Sequence, residues 1–563
     1  MNIREELDAG YFAFYNKDPE TAHNIALKVL KEEPETPKAL ELLSMTLQAA
    51  GQMGEAQKAL MHALKLDPDN AGGHLSMSDM MLRGGRVDLA RSALQKSIEI
   101  APGYLPAIMR LGDLYLSQND PLEALAVFDN GLTQAEGHPS LLKGRAMALF
   151  ASLRYEEALA QLDQLPPQPD LMMVRGQLLM QMQRYEGATQ CFRMAMGDPS
   201  MALPALQELF RLTHRTQGVD ETVALIESIA AENPETKLIP AIGALTLSEL
   251  DEVYKAKLLL DTVAQDESDQ TFAPFRATIA MAADDPASAA AIIEKQLKGG
   301  QLDPGLISIA AQAFLRLGDT EKAIGFINRL RQFDPLNQHW LALQVTAARQ
   351  AGEAYTQIYD YKNLVKTYDI EAPADYADMD EFLAKLTKAL SSVLVSTDSV
   401  PKPGKHQGEV TSHNLVFEAD RDVQNALKAM ATSIQSYISD LGQNAQHPLS
   451  SRSYGDYRMA RAWAVLQQGG GFHVNHIHAQ GWISGTFIID HPGDIKGSRK
   501  GHLKFGEPPY DVPVKKGSKM KAEHWVEPKR GRLVLFPSYM WHGTENFESA
   551  ERRLTLSFDL LPE

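Results

Sequence analysis

A chain of 563 residues is too long for one hydrophobic core, so roughly two to four domains are expected. Its apolar (44%) and charged (23%) fractions are those of an ordinary globular protein, and a formal net charge of −17 argues against general binding to nucleic acid or to an anionic membrane. The single cysteine, Cys191, excludes an intrachain disulfide and fits a reducing compartment. The opening stretch MNIREELDAGYFAFYNKDPE has no basic run followed by an apolar one, so it does not read as a signal peptide. No apolar run reaches ~18–20 residues, so no membrane span is expected, and the cytoplasm is the default location.

The first third is periodic. Ala22, Ala56, Ala90, Ala124 and Ala158 follow one another at 34-residue steps, and Pro34, Pro68 and Pro102 keep the same interval. Between them, apolar residues recur at three- and four-residue steps with a turn midway, as in LELLSMTLQAAGQMGEAQKALMHALKLDP. One repeat is therefore a helix, a short turn, a second helix and a Pro-bounded exit. An alanine early in the second helix lets two backbones approach closely. Ser44, Ser78 and Gly112 take the matching small position in the first helix. The pattern resembles a tetratricopeptide array, most strongly over residues 5–165. Near QLPPQPD (164–170) the register slips, and 200–360 reads as helical but irregular, with one clear repeat end at 317–337 carrying Ala323 and Pro335. Such an array offers a groove for a protein or peptide partner, or serves as scaffold. Met80, Met81, Met172, Met173, Met180 and Met182 read as core filler at helical spacing.

Around 370–400 the texture changes. IEAPADYADMDEFLAKLTKALSSVLV predicts one more helix, and STDSVPKPGKHQGEVTSHN, rich in turn formers, marks a boundary. Beyond it, short alternating runs (ARAWAVLQ, SGTFIID, LKF, RLVLFP and RLTLSFDL) predict strands of a sandwich or barrel, with one helix over 421–441 outside. Ten of sixteen histidines and four of five tryptophans lie in this last part.

Strand geometry turns residues two apart to the same face, so His476 and His478 in GGGFHVNHIHAQGWISGTFII are candidate metal ligands. His542, after the strand RLVLFP and a turn, is the candidate third. In the tail, Arg553, Thr555, Ser557 and Asp559 share one face. A guanidinium directed into a β cavity needs an anion, and its planar fork suits a carboxylate, with the Thr555 hydroxyl as a second donor. His473 reads as a surface residue or one behind the ligands, and His491, His502 and His524 read as loop residues. Trp463 and Trp482 read as core or pocket wall. Ser484, Lys504 and Glu507 receive no role. The segment 496–532 carries eleven Lys/Arg against four Asp/Glu, and a solvated or docked loop is the preferred reading over a basic rim. No P-loop, Gly-x-Ser-x-Gly elbow, zinc-type cysteine pair or dinucleotide fingerprint is present.

The pieces AWAVLQQGGGFHVNHIHAQGWISGTFII, HLKFGEPP, GRLVLFPSYMWHGTENF and RLTLSFDLLP, in that order, resemble the 2-oxoglutarate- and Fe(II)-dependent oxygenases. They are most similar to the bacterial group in which a tetratricopeptide array precedes an oxygenase domain. The resemblance implies a double-stranded β-helix, iron on His476, His478 and His542, and the far carboxylate of 2-oxoglutarate on Arg553 and Thr555. It also implies O₂ as co-reactant, and substrate hydroxylation coupled to oxidative decarboxylation of the keto acid. The wider superfamily pattern is His-x-Asp/Glu with a distant His. Here His478 stands at the carboxylate position, as in the bacterial group, which leaves the site one unit more positive. Two other readings stay open: a three-histidine cupin-like metalloenzyme without 2-oxoglutarate, and a non-catalytic tetratricopeptide adaptor. The expected organisation is tetratricopeptide repeats over 1–200, divergent helical repeats over 201–370, a linker helix and boundary over 371–400, and the double-stranded β-helix over 401–563.

Overall fold

The computed structural model describes residues 2–563 apart from 84–85, 119, 265–269, 298–302, 397–408, 412, 468–472, 495–497 and 515–516. Most of the turn-rich boundary and the glycine run before His473 therefore lie outside the described residues. The chain divides into two compact units, Met1–Leu178 and Leu179–Glu563.

In the first unit, helices pair in sequence: Ile3–Tyr15 with Pro19–Glu32, Pro37–Ala49 with Met53–Leu66, Ala71–Arg83 with Val87–Ile100, Leu105–Ser117 with Pro121–Gln134, and Pro139–Ala151 with Tyr155–Leu162. The five alanines of the 34-residue register are fully buried, and so are Ser44 and Ser78. At Gly112 an added Cβ would lie 2.2 Å from the Phe128 ring. Small side chains at these positions are thus a condition of the helix spacing.

The repeat continues past residue 200, with Thr222, Ala256, Ala289 and Ala323 buried at the same position of their helices. The described turns inside pairs carry one residue with positive φ: Lys17, Gly51 and Leu153 in the first unit, then Gln183, Gly218, Asp251, Asp284 and Gly318. Gly352 ends the helix Gln338–Ala351 in the same way. From Gln183 on, these residues are spaced by 35, 33, 33, 34 and 34. Within the second unit the all-α helical repeats thus run to Ala351. Ala323 is fully buried in its second helix, Thr320–Phe333. After Gly352 the next helix is only Tyr361–Leu364, and the chain then runs into the strand Lys366–Asp369.

The strands are β1 (Lys366–Asp369), β2 (Leu394–Ser396), β3 (Glu409–Thr411), β4 (Tyr457–Gln467), β5 (Ile483–Asp490), β6 (Leu503–Phe505), β7 (His524–Val526), β8 (Arg532–Pro537), β9 (His542–Thr544) and β10 (Arg553–Pro562). Seven form one sheet in the order β1-β8-β5-β10-β4-β3-β2, and three form a second in the order β7-β6-β9. An isolated bridge pairs His476 with His542, which joins the His473–His478 segment to the smaller sheet. Every pairing in both sheets is antiparallel. Two facing antiparallel sheets of this kind make the expected double-stranded β-helix.

The clean alternation of β10 sets the two faces of the large sheet. Leu554, Leu556, Phe558 and Leu560 are buried with Phe382, Leu386 and Leu390 of the helix Met379–Ser391 and with Val423, Ile434 and Ile438. Gly485 of β5 lies under Phe558, where a Cβ would come within 2.2 Å of the ring. The other face of β10 looks into the β-helix.

Three expectations need correction. The helix expected over 421–441 is two, Arg421–Ala429 and Ala431–Leu441, interrupted at Met430. The helix expected over 370–395 starts only at Met379, where Asp378 caps it by accepting from the Glu381 N–H at 2.9 Å, and its tail becomes β2. The large sheet also takes in β1 and β2, both before residue 401. β1 is only KTYD, too short for its alternation to be read from sequence.

Candidate metal and anion site

Two polar clusters mark the C-terminal domain: the histidines of the His473–His478 segment and of β9, next to the smaller sheet, and Arg553, Thr555 and Gln467 on β10 and β4 of the large sheet. One ring nitrogen from each of His476, His478 and His542 lies within 4.8 Å of the other two. The ring centroids are 4.4, 4.9 and 5.1 Å apart. The segment is pinned by backbone bonds. The His476 N–H donates to the His542 carbonyl at 2.8 Å, the return bond is 3.0 Å, and the His478 N–H donates to the Ser538 carbonyl at 3.0 Å.

What stands behind each ring fixes its tautomer. The Nδ1 of His476 faces the Val474 carbonyl at 2.8 Å, and that of His542 faces the Met540 carbonyl at 2.9 Å. A ring nitrogen opposite a carbonyl must carry the proton, so both rings turn an Nε2 lone pair inward. The Nδ1 of His478 meets the Asp559 carboxylate. Its Nε2 then faces the His476 Nε2 at 3.2 Å. Two inward lone pairs at that distance repel unless a cation lies between them. Burial, reinforced by His476 and His478, holds the His542 imidazole well below its usual pKa, so it stays neutral and able to ligate. Three imidazoles on one side suit a divalent transition metal and leave coordination positions open.

The second cluster is an anion cradle. Arg553 is 2% exposed, and its Nη1 donates to the Gln467 side-chain oxygen at 3.0 Å. Its Nε, the Thr555 hydroxyl and the Gln467 amide nitrogen have no hydrogen-bond partner among the described residues. No Asp or Glu among the described residues pairs with this guanidinium, and burial pushes its pKa down to about 10. Three buried donors sharing one empty acceptor role fit a carboxylate.

Aromatic rings wall the histidines: Phe536 at 4.6 Å and Phe505 at 6.3 Å from His542, and Trp463 at 5.3 Å from His478, centroid to centroid. Trp482 is core, with its indole N–H donating to the Leu449 carbonyl at 2.8 Å. The His473 ring lies 6.2 Å from His476, behind the cluster. His524, expected in a loop, opens β7 and stacks on Tyr361 at 5.6 Å, while His491 and His502 flank strand ends. The basic segment is largely ion-paired. Lys504 meets Glu507 at 2.6 Å, Lys529 meets Asp369 at 2.6 Å, and Arg530 meets Asp380 at 3.0 Å.

Sequence reasoning missed two groups. Asp559 was visible on the inner face of β10, but its pairing with His478 spans 81 residues and has no local signal. Ser484 carried no assigned role. Its hydroxyl donates to Asp559 at 2.7 Å and lies 2.8 Å from the Ser538 hydroxyl.

The turn that carries His542 is held by the end of the helical repeats. The Trp541 N–H donates to the Tyr359 hydroxyl at 3.0 Å, and that hydroxyl donates to the Tyr539 carbonyl at 2.8 Å. The Trp541 indole N–H donates to the Thr346 hydroxyl at 3.0 Å. Arg349 reaches the Gly506 and Lys521 carbonyls and pairs with Glu523 at 3.1 Å. Within this unit, the last repeat is part of the β-helix wall.

The domain thus gathers three histidines at a spacing that could hold a metal ion, together with a buried arginine. Residues 461–559 match the family described as "Putative 2OG-Fe(II) oxygenase", and residues 37–70 and 109–172 match tetratricopeptide repeat families. The chain therefore joins tetratricopeptide repeats to a C-terminal domain of that oxygenase family. No curated protein matches it. Similar solved structures include a tetratricopeptide repeat protein from Parabacteroides merdae (15% identity, 55% of this chain and 98% of that one, TM-score 0.31). Another is a thermophilic tetratricopeptide protein in Thermus thermophilus (24% identity, 32% and 99%, TM-score 0.26). A third is YrrB, titled as having an unusual peptide-binding site (19% identity, 32% and 96%, TM-score 0.28). No helix is long and apolar enough to cross a membrane among the described residues.

Proposed function

We propose that the protein is a 2-oxoglutarate- and Fe(II)-dependent dioxygenase that hydroxylates its substrate. In this reading His476, His478 and His542 hold the iron, and Arg553 and Thr555 hold the far carboxylate of the keto acid. The carrying observation is the pair of complementary deficits in one β domain: three grouped imidazole nitrogens wanting a cation, and buried donors wanting an anion. Iron with the keto acid and O₂ supplies the oxidising power that replaces a substrate C–H bond by C–OH. The chain's own residues position and exclude. Phe505, Phe536 and Trp463 keep bulk water from the metal side, the backbone carbonyls of Val474 and Met540 fix two ligand tautomers, and Gln467 orients the guanidinium. The helical repeats supply the surface for a protein or peptide that is substrate or partner.

The test is anaerobic addition of Fe(II) and then 2-oxoglutarate to the full chain. A weak visible charge-transfer band should appear, followed by succinate once air is admitted. Arg553→Ala should keep metal binding but lose the band and the succinate. Absence of both signals in the wild-type chain would sink the proposal. Unchanged turnover in the Arg553→Ala chain would favour a metalloenzyme that uses no keto acid.

A further inference from the structure

We infer that Asp559 is the positioning carboxylate of the metal centre. It fixes His478 in its ligating tautomer, and it returns, one hydrogen bond away from the metal, the negative charge that a third imidazole removes from the ligand set. The inference rests on the reading of the three histidines as metal ligands.

The three rings are not backed alike. His476 and His542 each have a neutral backbone carbonyl at Nδ1, whereas His478 has a carboxylate. A carboxylate accepting from Nδ1–H makes an imidazole more electron-rich and a better donor at Nε2. His478 backed by Asp559 therefore comes closer to an anionic ligand than either neighbour does.

Asp559 is built into this role. The pairing of β10 with β4 shifts register between Asp559 and Leu560, and a bulge of that kind re-aims a side chain. The Ser484 hydroxyl donates to Asp559 at 2.7 Å and lies 2.9 Å from His478 Nδ1. Ser484 in turn touches the Ser538 hydroxyl at 2.8 Å, and the Ser538 carbonyl accepts from the His478 N–H at 3.0 Å. His478, Asp559, Ser484 and Ser538 thus close a ring. Gly481 leaves room for it, since a Cβ there would lie 2.3 Å from the Ser538 hydroxyl. No Lys or Arg among the described residues ion-pairs with Asp559. Arg461, its cross-strand neighbour, lies over the Trp463 ring at 5.1 Å instead. The carboxylate's charge is left directed at His478.

The experiment measures Co(II) affinity of the full, metal-free chain by competition with a chelator, together with the intensity of the Co(II) visible spectrum. Asp559→Asn keeps an acceptor of the same shape but removes the charge. It should weaken Co(II) by about 10–100-fold while the apo thermal midpoint stays near wild type. Asp559→Ala should weaken it at least as much. A purely structural role would lower the midpoint and leave metal affinity alone. Wild-type binding with unchanged Asp559→Asn affinity overturns the inference. A wild-type chain that binds no Co(II) overturns the ligand reading itself, and the two failures are told apart by that control. If Asp559→Asn does not fold, Ser484→Ala decides. It keeps the carboxylate and removes its anchor, so a severalfold loss of affinity supports the inference and none overturns it.

Discussion

Replacing Tyr359 by Phe tests how the helical repeats hold the site. The ring is 1% exposed, so no water can take over from its hydroxyl. That hydroxyl satisfies two backbone groups at once, the Trp541 N–H at 3.0 Å and the Tyr539 carbonyl at 2.8 Å. Phe fills the same space, so no cavity term enters. What remains is two buried, orphaned backbone groups at about 1–3 kcal/mol each, or about 2–4 kcal/mol together after partial relaxation. The assay is urea unfolding followed by tryptophan fluorescence. All five tryptophans lie beyond residue 179, so the signal reports the second unit alone. A parallel loss of metal affinity is expected, because His542 follows Trp541 directly. A stability change below about 0.5 kcal/mol would show that the turn is held elsewhere, and would refute the reasoning.

Gly112→Ala should destabilise the first unit by about 1–3 kcal/mol, because the new Cβ would meet the Phe128 ring at 2.2 Å and helices must part; a thermal melt by circular dichroism checks this, and an unchanged Tm would refute it. Acid should loosen the metal-free site. The folded state holds His542 neutral, whereas the unfolded chain takes up its proton near pH ~6.5. Stability is therefore unaffected by this group above about pH 6.5, and it falls as pH drops below that, by up to about 1.4 kcal/mol per pH unit. Urea melts on either side of that pH should show the slope, and His542→Asn should flatten it; equal slopes would refute the assignment.

Much of this molecule is legible from residue types alone, for identifiable reasons. Helices that approach closely must carry small residues at the crossing, so Ala22 to Ala158 repeat visibly. Further along, the same helix position carries Ala188, Thr222, Ala256, Ala289 and Ala323, all buried, but the slip of register near 164–170 and the threonine hide the series. The turn geometry persists, but it falls on Asp251 and Asp284 as readily as on Gly318, so no residue type announces it. His476 and His478 are readable because extended chain turns alternate residues to one side, and Arg553 with Thr555 obeys the same rule. Contacts that close across long stretches of chain are not readable. Tyr359 meets Trp541 182 residues later, and Asp559 meets His478 from 81 residues away. Neither position breaks its local pattern. The basic run at 496–532 is a related case: its charge excess is plain, but Asp369 and Asp380, which absorb part of it, lie far upstream.

β1 has a practical consequence. It covers the outer edge of β8, pairing Lys366–Asp369 with Arg532–Leu535. A fragment cut at the compositional boundary near residue 400 would lose this strand, along with Tyr359, Arg349 and the helix Met379–Ser391. Its open β8 edge would invite strand-to-strand aggregation. The oxygenase part is therefore no portable cassette. A swap of solenoids in front of it has to break upstream of the helix Gln338–Ala351, so the last repeat travels with the β domain and the earlier ones do not have to.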